Sequence, residues 1–237
     1  MFKRFLMTVI IFSLFILAGC SSNVKPMEIG QIPWGNYQRL TYDIFENDKL
    51  VGTAEFTIEK SQSTNTYEIS SITKIDSAEL STSTSVTSDT LMPLSSYYSV
   101  MSPQGDIKIE TAYKDKWNIK AKTPKKGEQN LTVKLPKYYY DNDSLLMIMR
   151  AYPFQVGAEF TIYDAIASTA QIVPITNKVV SKEKVIVPCG EAECFKVELK
   201  AGAAKQYIWY SDDENRLLYQ YDNGKLVYKL KKVENNK

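Results

Sequence analysis

Leu40-Thr41-Tyr42-Asp43-Ile44-Phe45, the turn cluster Glu46-Asn47-Asp48-Lys49, and Leu50-Val51-Gly52-Thr53-Ala54-Glu55-Phe56-Thr57-Ile58 form the stretch that decides the fold. Leu40, Tyr42 and Ile44 alternate with polar neighbours, and Leu50, Gly52, Ala54, Phe56 and Ile58 alternate again beyond the turn. A period of two sends successive side chains to opposite faces of a strand. The stretch therefore reads as two half-buried strands joined by a tight loop.

The same alternation recurs along the chain. It runs through Tyr67, Ile69, Ser71, Thr73 and Ile75, then Ile107, Ile109, Thr111 and Tyr113. Trp117, Ile119 and Ala121 follow, then Leu131, Val133 and Leu135. Clusters such as Ser102-Pro103-Gln104-Gly105 and Thr123-Pro124-Lys125-Lys126-Gly127 have the composition of turns. Further strands are predicted at Phe160 and Ile162, over 172–180 and 185–187, through Phe195, Val197 and Leu199, at Tyr207 and Trp209, and through Leu217, Tyr219 and Tyr221. Leu226, Tyr228 and Leu230 make the last. Asp222-Asn223-Gly224-Lys225 before it predicts a type I′ hairpin, because Asn-Gly tolerates the two positive φ values that this turn needs. The Ser/Thr-rich segment 81–90 reads as a polar edge strand or a loop.

One segment breaks the pattern. Leu145, Ile148, Met149 and Tyr152 fall at helical spacing, with Asp143 as a capping residue and Pro153 as a stop. Leu146 and Met147 make this short helix apolar almost all round, so it requires burial. The fold class is all-β: a single strongly curved antiparallel sheet or barrel-like shell with one short helix against its concave face. A two-sheet β-sandwich is the alternative.

At the N-terminus Lys3 and Arg4 precede an apolar run from Phe5 to Ala18, broken by Thr8 and Ser13, which is the order of a secretory signal. The run is shorter than the roughly 20 residues of a membrane-spanning helix. It ends in Leu17-Ala18-Gly19-Cys20, which resembles the lipobox of bacterial lipoproteins. That resemblance implies a diacylglycerol on the Cys20 thiol and cleavage before it. The expected organisation is a signal peptide over 1–19, a lipidated Cys20 with a Pro- and Gly-containing tether over 20–36, and one β-rich domain over 37–237. The expected location is extracytoplasmic and membrane-anchored in the cell envelope, at the outer membrane if the cell is Gram-negative.

The chain carries 29 basic and 27 acidic residues. Lys3 and Arg4 leave with the signal, so the mature chain is neutral and lacks the basic footprint of a nucleic-acid binder. With 44% hydrophobic and 24% charged residues it can bury a core. Cys20 being assigned to lipid, Cys189 and Cys194 form an even pair in an oxidising compartment and read as a disulfide framing Gly190-Glu191-Ala192-Glu193.

Catalytic signatures are missing. The chain has no histidine, which removes Ser-His-Asp and Cys-His triads and the commonest metal ligand. No G-x-G or G-x-S-x-G is present, and Gly30 and Gly35 have P-loop spacing without the lysine, since Asn36 follows. Asp141-Asn142-Asp143 opens like a calcium loop, but Leu145 and Leu146 occupy positions where oxygen ligands belong. No catalytic residue, metal site or cofactor is expected.

Several stretches, in order, resemble the Domain of Unknown Function 3108 family of exported bacterial proteins. They are Leu40-Thr41-Tyr42-Asp43-Ile44 with Val51-Gly52-Thr53-Ala54, Pro93-Leu94-Ser95-Ser96-Tyr97, and Asp143-Ser144-Leu145-Leu146 through Arg150. Val187-Pro188 running into Phe195-Lys196-Val197-Glu198-Leu199, and Trp209-Tyr210-Ser211 with Arg216-Leu217-Leu218, complete the series. The resemblance implies an extracytoplasmic β-rich fold akin to curved-sheet lipoprotein carriers, with no established activity. Its corresponding turn lacks cysteines, which makes the Cys189–Cys194 pair local to this chain.

Together these features predict a noncatalytic envelope lipoprotein that binds a lipid or other apolar ligand in the concave face of its sheet. Arg150, at the end of the apolar helix, is the candidate partner for an anionic headgroup if it points inward, and a snorkelling helix-end cation if it points out. The alternative is a structural protein with a filled core that docks an envelope partner. An enzyme acting through carboxylates or tyrosines has no motif to locate its site.

Overall fold

A computed structural model describes residues 24–235; the signal sequence and Cys20 lie outside the described residues. The strands are β1 (Tyr37–Glu46), β2 (Lys49–Lys60), β3 (Thr66–Ile75), β4 (Ala78–Thr87), β5 (Pro93–Met101), β6 (Ile107–Tyr113), β7 (Lys116–Thr123) and β8 (Gly127–Lys134). After β9 (Tyr140–Asp141) and helix α1 (Asn142–Ile148) come β10 (Glu159–Ile166), β11 (Gln171–Val187), β12 (Gly190–Ala201), β13 (Ala204–Ser211), β14 (Leu218–Asp222) and β15 (Val227–Asn235).

These form one sheet in the order β8-β7-β6-β5-β4-β3-β2-β1-β15-β14-β13-β12-β11-β10-β9. β1 pairs antiparallel with β15, Tyr42 facing Leu230, so the two ends of the domain meet at its centre and hairpins run outward on both sides. β9 alone pairs in parallel, Tyr140 opposite Asp164 of β10. The sheet does not close: β8 and β9 are its edges. Helix α1 packs against β3 and β4 on one wing and β10 on the other, which requires the sheet to wrap around it. The curved all-β shell with a helix on its concave face is borne out, and the two-sheet sandwich does not form.

Alternation sets the inward face. Leu40, Tyr42 and Ile44 of β1 and Ala54, Phe56 and Ile58 of β2 are buried in a core shared with α1 and β11–β15. Tyr98, Ile109, Tyr113, Trp117 and Ile119 make a second cluster with Tyr139, Ala165 and Ala167 beneath the β5–β7 wing. Gly52 is required where β2 crosses β3, since a Cβ there would lie 2.1 Å from the Lys74 carbonyl oxygen.

Four expectations change. The type I′ turn is at Asn47 (φ 49°) and Asp48 (φ 61°), between the paired Glu46 and Lys49. At Asn223-Gly224 the hairpin forms, but its last pair is Asp222 and Val227 and only Gly224 has positive φ. There Asn223 Oδ1 accepts from the N–H groups of Lys225 (3.0 Å) and Leu226 (2.8 Å), which holds a wider loop. The Ser/Thr-rich segment is an interior strand over 81–87 and a turn over 88–90: β4 lies between β3 and β5 with Thr82, Thr84 and Val86 turned inward. Asp141 rather than Asp143 caps α1, accepting from the Asp143 N–H at 3.0 Å, and a 3-10 turn (Met149–Ala151) continues the helix.

The fourth change concerns the tether, which is docked from Met27 onward. Met27 and Trp34 are buried, the Met27 N–H donates to Tyr140 Oη at 3.1 Å, and the Gly30 N–H donates to the Ala151 carbonyl at 2.8 Å. Among the described residues no helix is long and apolar enough to cross a membrane.

Candidate functional site

Between the wings, beside α1, the shell holds a partly open cavity of about 350 Å³. Phe56, Leu80, Leu145, Ile175 and Leu199 give it apolar walls, and Tyr98, Tyr221 and Tyr228 contribute rings. Its polar lining includes Asp143 and Asp164, while no lysine or arginine lines it.

Three carboxyl groups gather where β9, β10 and the first turn of α1 meet. Asp141 is fully engaged: Oδ1 accepts from Thr84 Oγ1 (2.9 Å) and the Asp143 N–H, and Oδ2 accepts from Tyr113 Oη (2.5 Å). Burial pushes its carboxyl upward, against the pull of the Tyr113, Ser96 and Thr84 hydroxyls and the Asp143 amide. The role of Asp141 is architectural, since it ties β4 and β6 to the helix start.

Asp143 and Asp164 are differently placed. Asp143 is half-buried and lines the cavity; its one side-chain donor is the Asn142 amide at 3.3 Å. Burial, and then the nearby Asp141, raise its carboxyl to about 8. Asp164 is 1% exposed and its Oδ1 has no hydrogen-bond partner. Burial first, then Asp141 and Asp143, hold it well above the usual carboxylate range. Burial thus disfavours the ionised form of both carboxyls that line the cavity. Asp164 was legible as a charged residue on the inward alternation of β10, between Ile162 and Ile166, where an apolar side chain is the rule.

Arg150 points inward, not outward. It is 1% exposed, its Nε donates to the Arg216 carbonyl at 2.9 Å and its Nη2 to the Asn215 carbonyl at 2.8 Å. The guanidinium lies 5.4 Å from the Trp34 ring. It clamps the β13–β14 loop to the 3-10 turn and is not among the residues lining the cavity. Burial lowers it to about 10, still cationic at neutral pH.

Cys189 and Cys194 are free thiols, Cys189 exposed and Cys194 buried, which corrects the expected disulfide. Val187 pairs with Gly190 and Glu183 with Cys194, so Cys189 sits at the turn while Cys194 lies well along β12. At about 3.3 Å per residue the strand puts Gly190 about 13 Å from Cys194, and Cys189, one Cα step of about 3.8 Å away, is therefore at least about 9 Å from it, beyond the ~7 Å Cα separation that a disulfide spans. Among the described residues no group of three or more His, Cys, Asp and Glu side chains is arranged to hold a metal ion.

The architecture has relatives. A beta-barrel-like protein of a domain of unknown function, DUF1849, from Brucella abortus is similar with a TM-score of 0.58 and 14% identity, covering 89% of this chain and 100% of that one. A protein with a YmcC-like fold from Bacteroides fragilis aligns with a TM-score of 0.34 and 11% identity, covering 87% of this chain and 99% of that one. The first of these supports the fold. No curated protein matches the chain. The model of a family described as a protein of unknown function, DUF3108, matches residues 39–231, spanning the domain from β1 into β15, and the chain belongs to that family.

Proposed function

We propose that this chain is a noncatalytic lipoprotein of the cell envelope, anchored through lipid on Cys20, that holds a lipid or similar amphipathic ligand in the concave face of its sheet. The observation that carries this reading is the cavity beside α1, which lies between the wings, is partly open to solvent, and has apolar side chains and tyrosine rings in its wall alongside polar groups. Its volume falls within the range of small-molecule sites, which are largely apolar with few polar groups. The N-terminal sequence supports the address. Six residues, and so seven Cα steps, separate Cys20 from the docked Met27, a reach of at most about 25 Å, so the domain would sit against the bilayer surface. The alternative is a structural protein that docks an envelope partner and holds no ligand in this cavity.

Native mass spectrometry of the full chain, processed in the envelope and washed free of bulk lipid, tests this reading. A chain beginning at Cys20 with acyl mass on that residue is expected, together with a noncovalent adduct that denaturation releases. Bare polypeptide with an unmodified Cys20 removes the anchor, and repeated absence of an adduct removes the ligand.

A further inference from the structure

We infer that the ligand of this cavity is a cationic amphiphile whose ammonium group sits at Asp143 and Asp164 with its apolar chain against Phe56, Leu145, Ile175 and Leu199. This rests on the ligand-holding reading above and names the chemistry of that ligand.

Asp164 carries the inference. It lines the cavity, is 1% exposed, and leaves Oδ1 without a hydrogen-bond partner. A buried acceptor without a donor is costly, and replacing it with an apolar residue of similar size would remove the cost. The second carboxyl, Asp143, lines the same space with only a long contact from Asn142.

No cation of the chain answers this pair. The basic residues do not line the cavity, and none of the ion pairs among the described residues involves Asp141, Asp143 or Asp164. Arg150 is turned toward the Asn215 and Arg216 carbonyls. An ammonium supplies three donors and a positive charge, and on arrival it favours the ionised form of both carboxyls. A carboxylate or phosphate headgroup would meet acidic groups at the same place and gain no donor beyond a protonated acid. Phe56, Leu145, Ile175 and Leu199 in the wall offer apolar contact to a hydrocarbon chain.

Three probes with one chain length test this on the full protein: dodecylammonium, dodecanol and dodecanoate, each below its micelle concentration, in calorimetric titration. Dodecylammonium is expected to bind about tenfold or more tighter than dodecanol, as a charge-assisted bond implies. Asp164→Asn and Asp143→Asn are each expected to erase most of the preference for dodecylammonium over dodecanol. Circular dichroism and the urea midpoint establish that each variant is folded, and either variant carries the test if the other does not fold. Equal binding of all three probes, tighter binding of dodecanoate, or a preference unchanged in the folded variants overturns the inference while leaving the ligand-holding reading in place. Binding of none of them overturns both.

Discussion

Thr84 Oγ1 donates to Asp141 Oδ1 at 2.9 Å across 57 residues of chain, and this bond joins an interior strand of one wing to the cap of α1. Tyr113 Oη and the Asp143 N–H complete the donor set on the same carboxylate. Removing one donor differs from removing the acceptor. Thr84→Val leaves Asp141 with two donors and should cost about 1–2 kcal/mol. Asp141→Ala strands three donors in a buried site and uncaps the helix, so a loss of about 3–5 kcal/mol is expected. Urea denaturation of both variants checks the difference; equal costs would mean that Asp141 is not the hub.

Asp143 and Asp164 give stability an unusual pH dependence. Burial raises both carboxyls above their unfolded value near 4, Asp143 to about 8, so the folded state binds more protons than the unfolded chain between these limits. Stability from these groups is fully present below about pH 4 and is lost as pH rises through the folded values. Asp141, which burial also raises, adds in the same sense; a decline of at least about 4 kcal/mol between pH 5 and 8 is expected, and Asp164→Asn should reduce the slope. Glu198 and Glu234, drawn down by Lys205 and Lys232, are surface groups and contribute little in the opposite sense. Urea midpoints across this range measure the slope, and a profile rising toward pH 8 contradicts the assignment.

Strands such as β1 and β2 were legible because one face is apolar and the other polar, and the shell followed from their number. β4 was not, because its inward side chains include Thr82 and Thr84, which bond to Ser71 and Asp141 where apolar groups usually pack. Asp164 did leave a signal in the alternation of β10. The Cys189–Cys194 spacing gave the length of a loop but not the direction of its limbs, and register decides that direction. Arg150 follows a helix whose last turn tightens to 3-10, which sends the guanidinium inward; helical spacing alone carries no sign of that.

Gly52 is the point where β2 and β3 come closest. A Cβ would lie 2.1 Å from the Lys74 carbonyl oxygen and 2.8 Å from Ile75 Cγ1, and backbone cannot yield as a flexible side chain can. Gly52→Ala should therefore cost at least about 2 kcal/mol, in contrast to the mild gain that alanine gives at an unstrained strand position. Chemical denaturation of the variant decides, and a neutral effect would show that the strands separate easily.

Arg150→Ala should destabilise by about 3 kcal/mol or more, because the Asn215 and Arg216 carbonyls lose a buried charged donor and Trp34 loses its guanidinium contact. Arg150→Lys should recover only part of this, since an ammonium cannot span both carbonyls as the planar fork does. Thermal unfolding gives the magnitude. Limited proteolysis within 212–217 gives the location, and faster cleavage there is expected in the alanine variant.

The two thiols should react at very different rates. Cys189 is exposed at the β11–β12 turn, whereas Cys194 is buried on β12 and is pushed up to about 12 by burial, with Asp213 and Glu193 adding to it. Thiolate is the reactive form, and at neutral pH Cys194 offers almost none of it behind a packed wall. Maleimide added to the native, never-reduced protein should label Cys189 within minutes and spare Cys194, and both should label in urea without reductant. Peptide mass mapping reads the two sites separately. A peptide pair joined between Cys189 and Cys194, or failure of either to label in urea before reduction, would mean that β11 and β12 do not keep the register in which Glu183 faces Cys194.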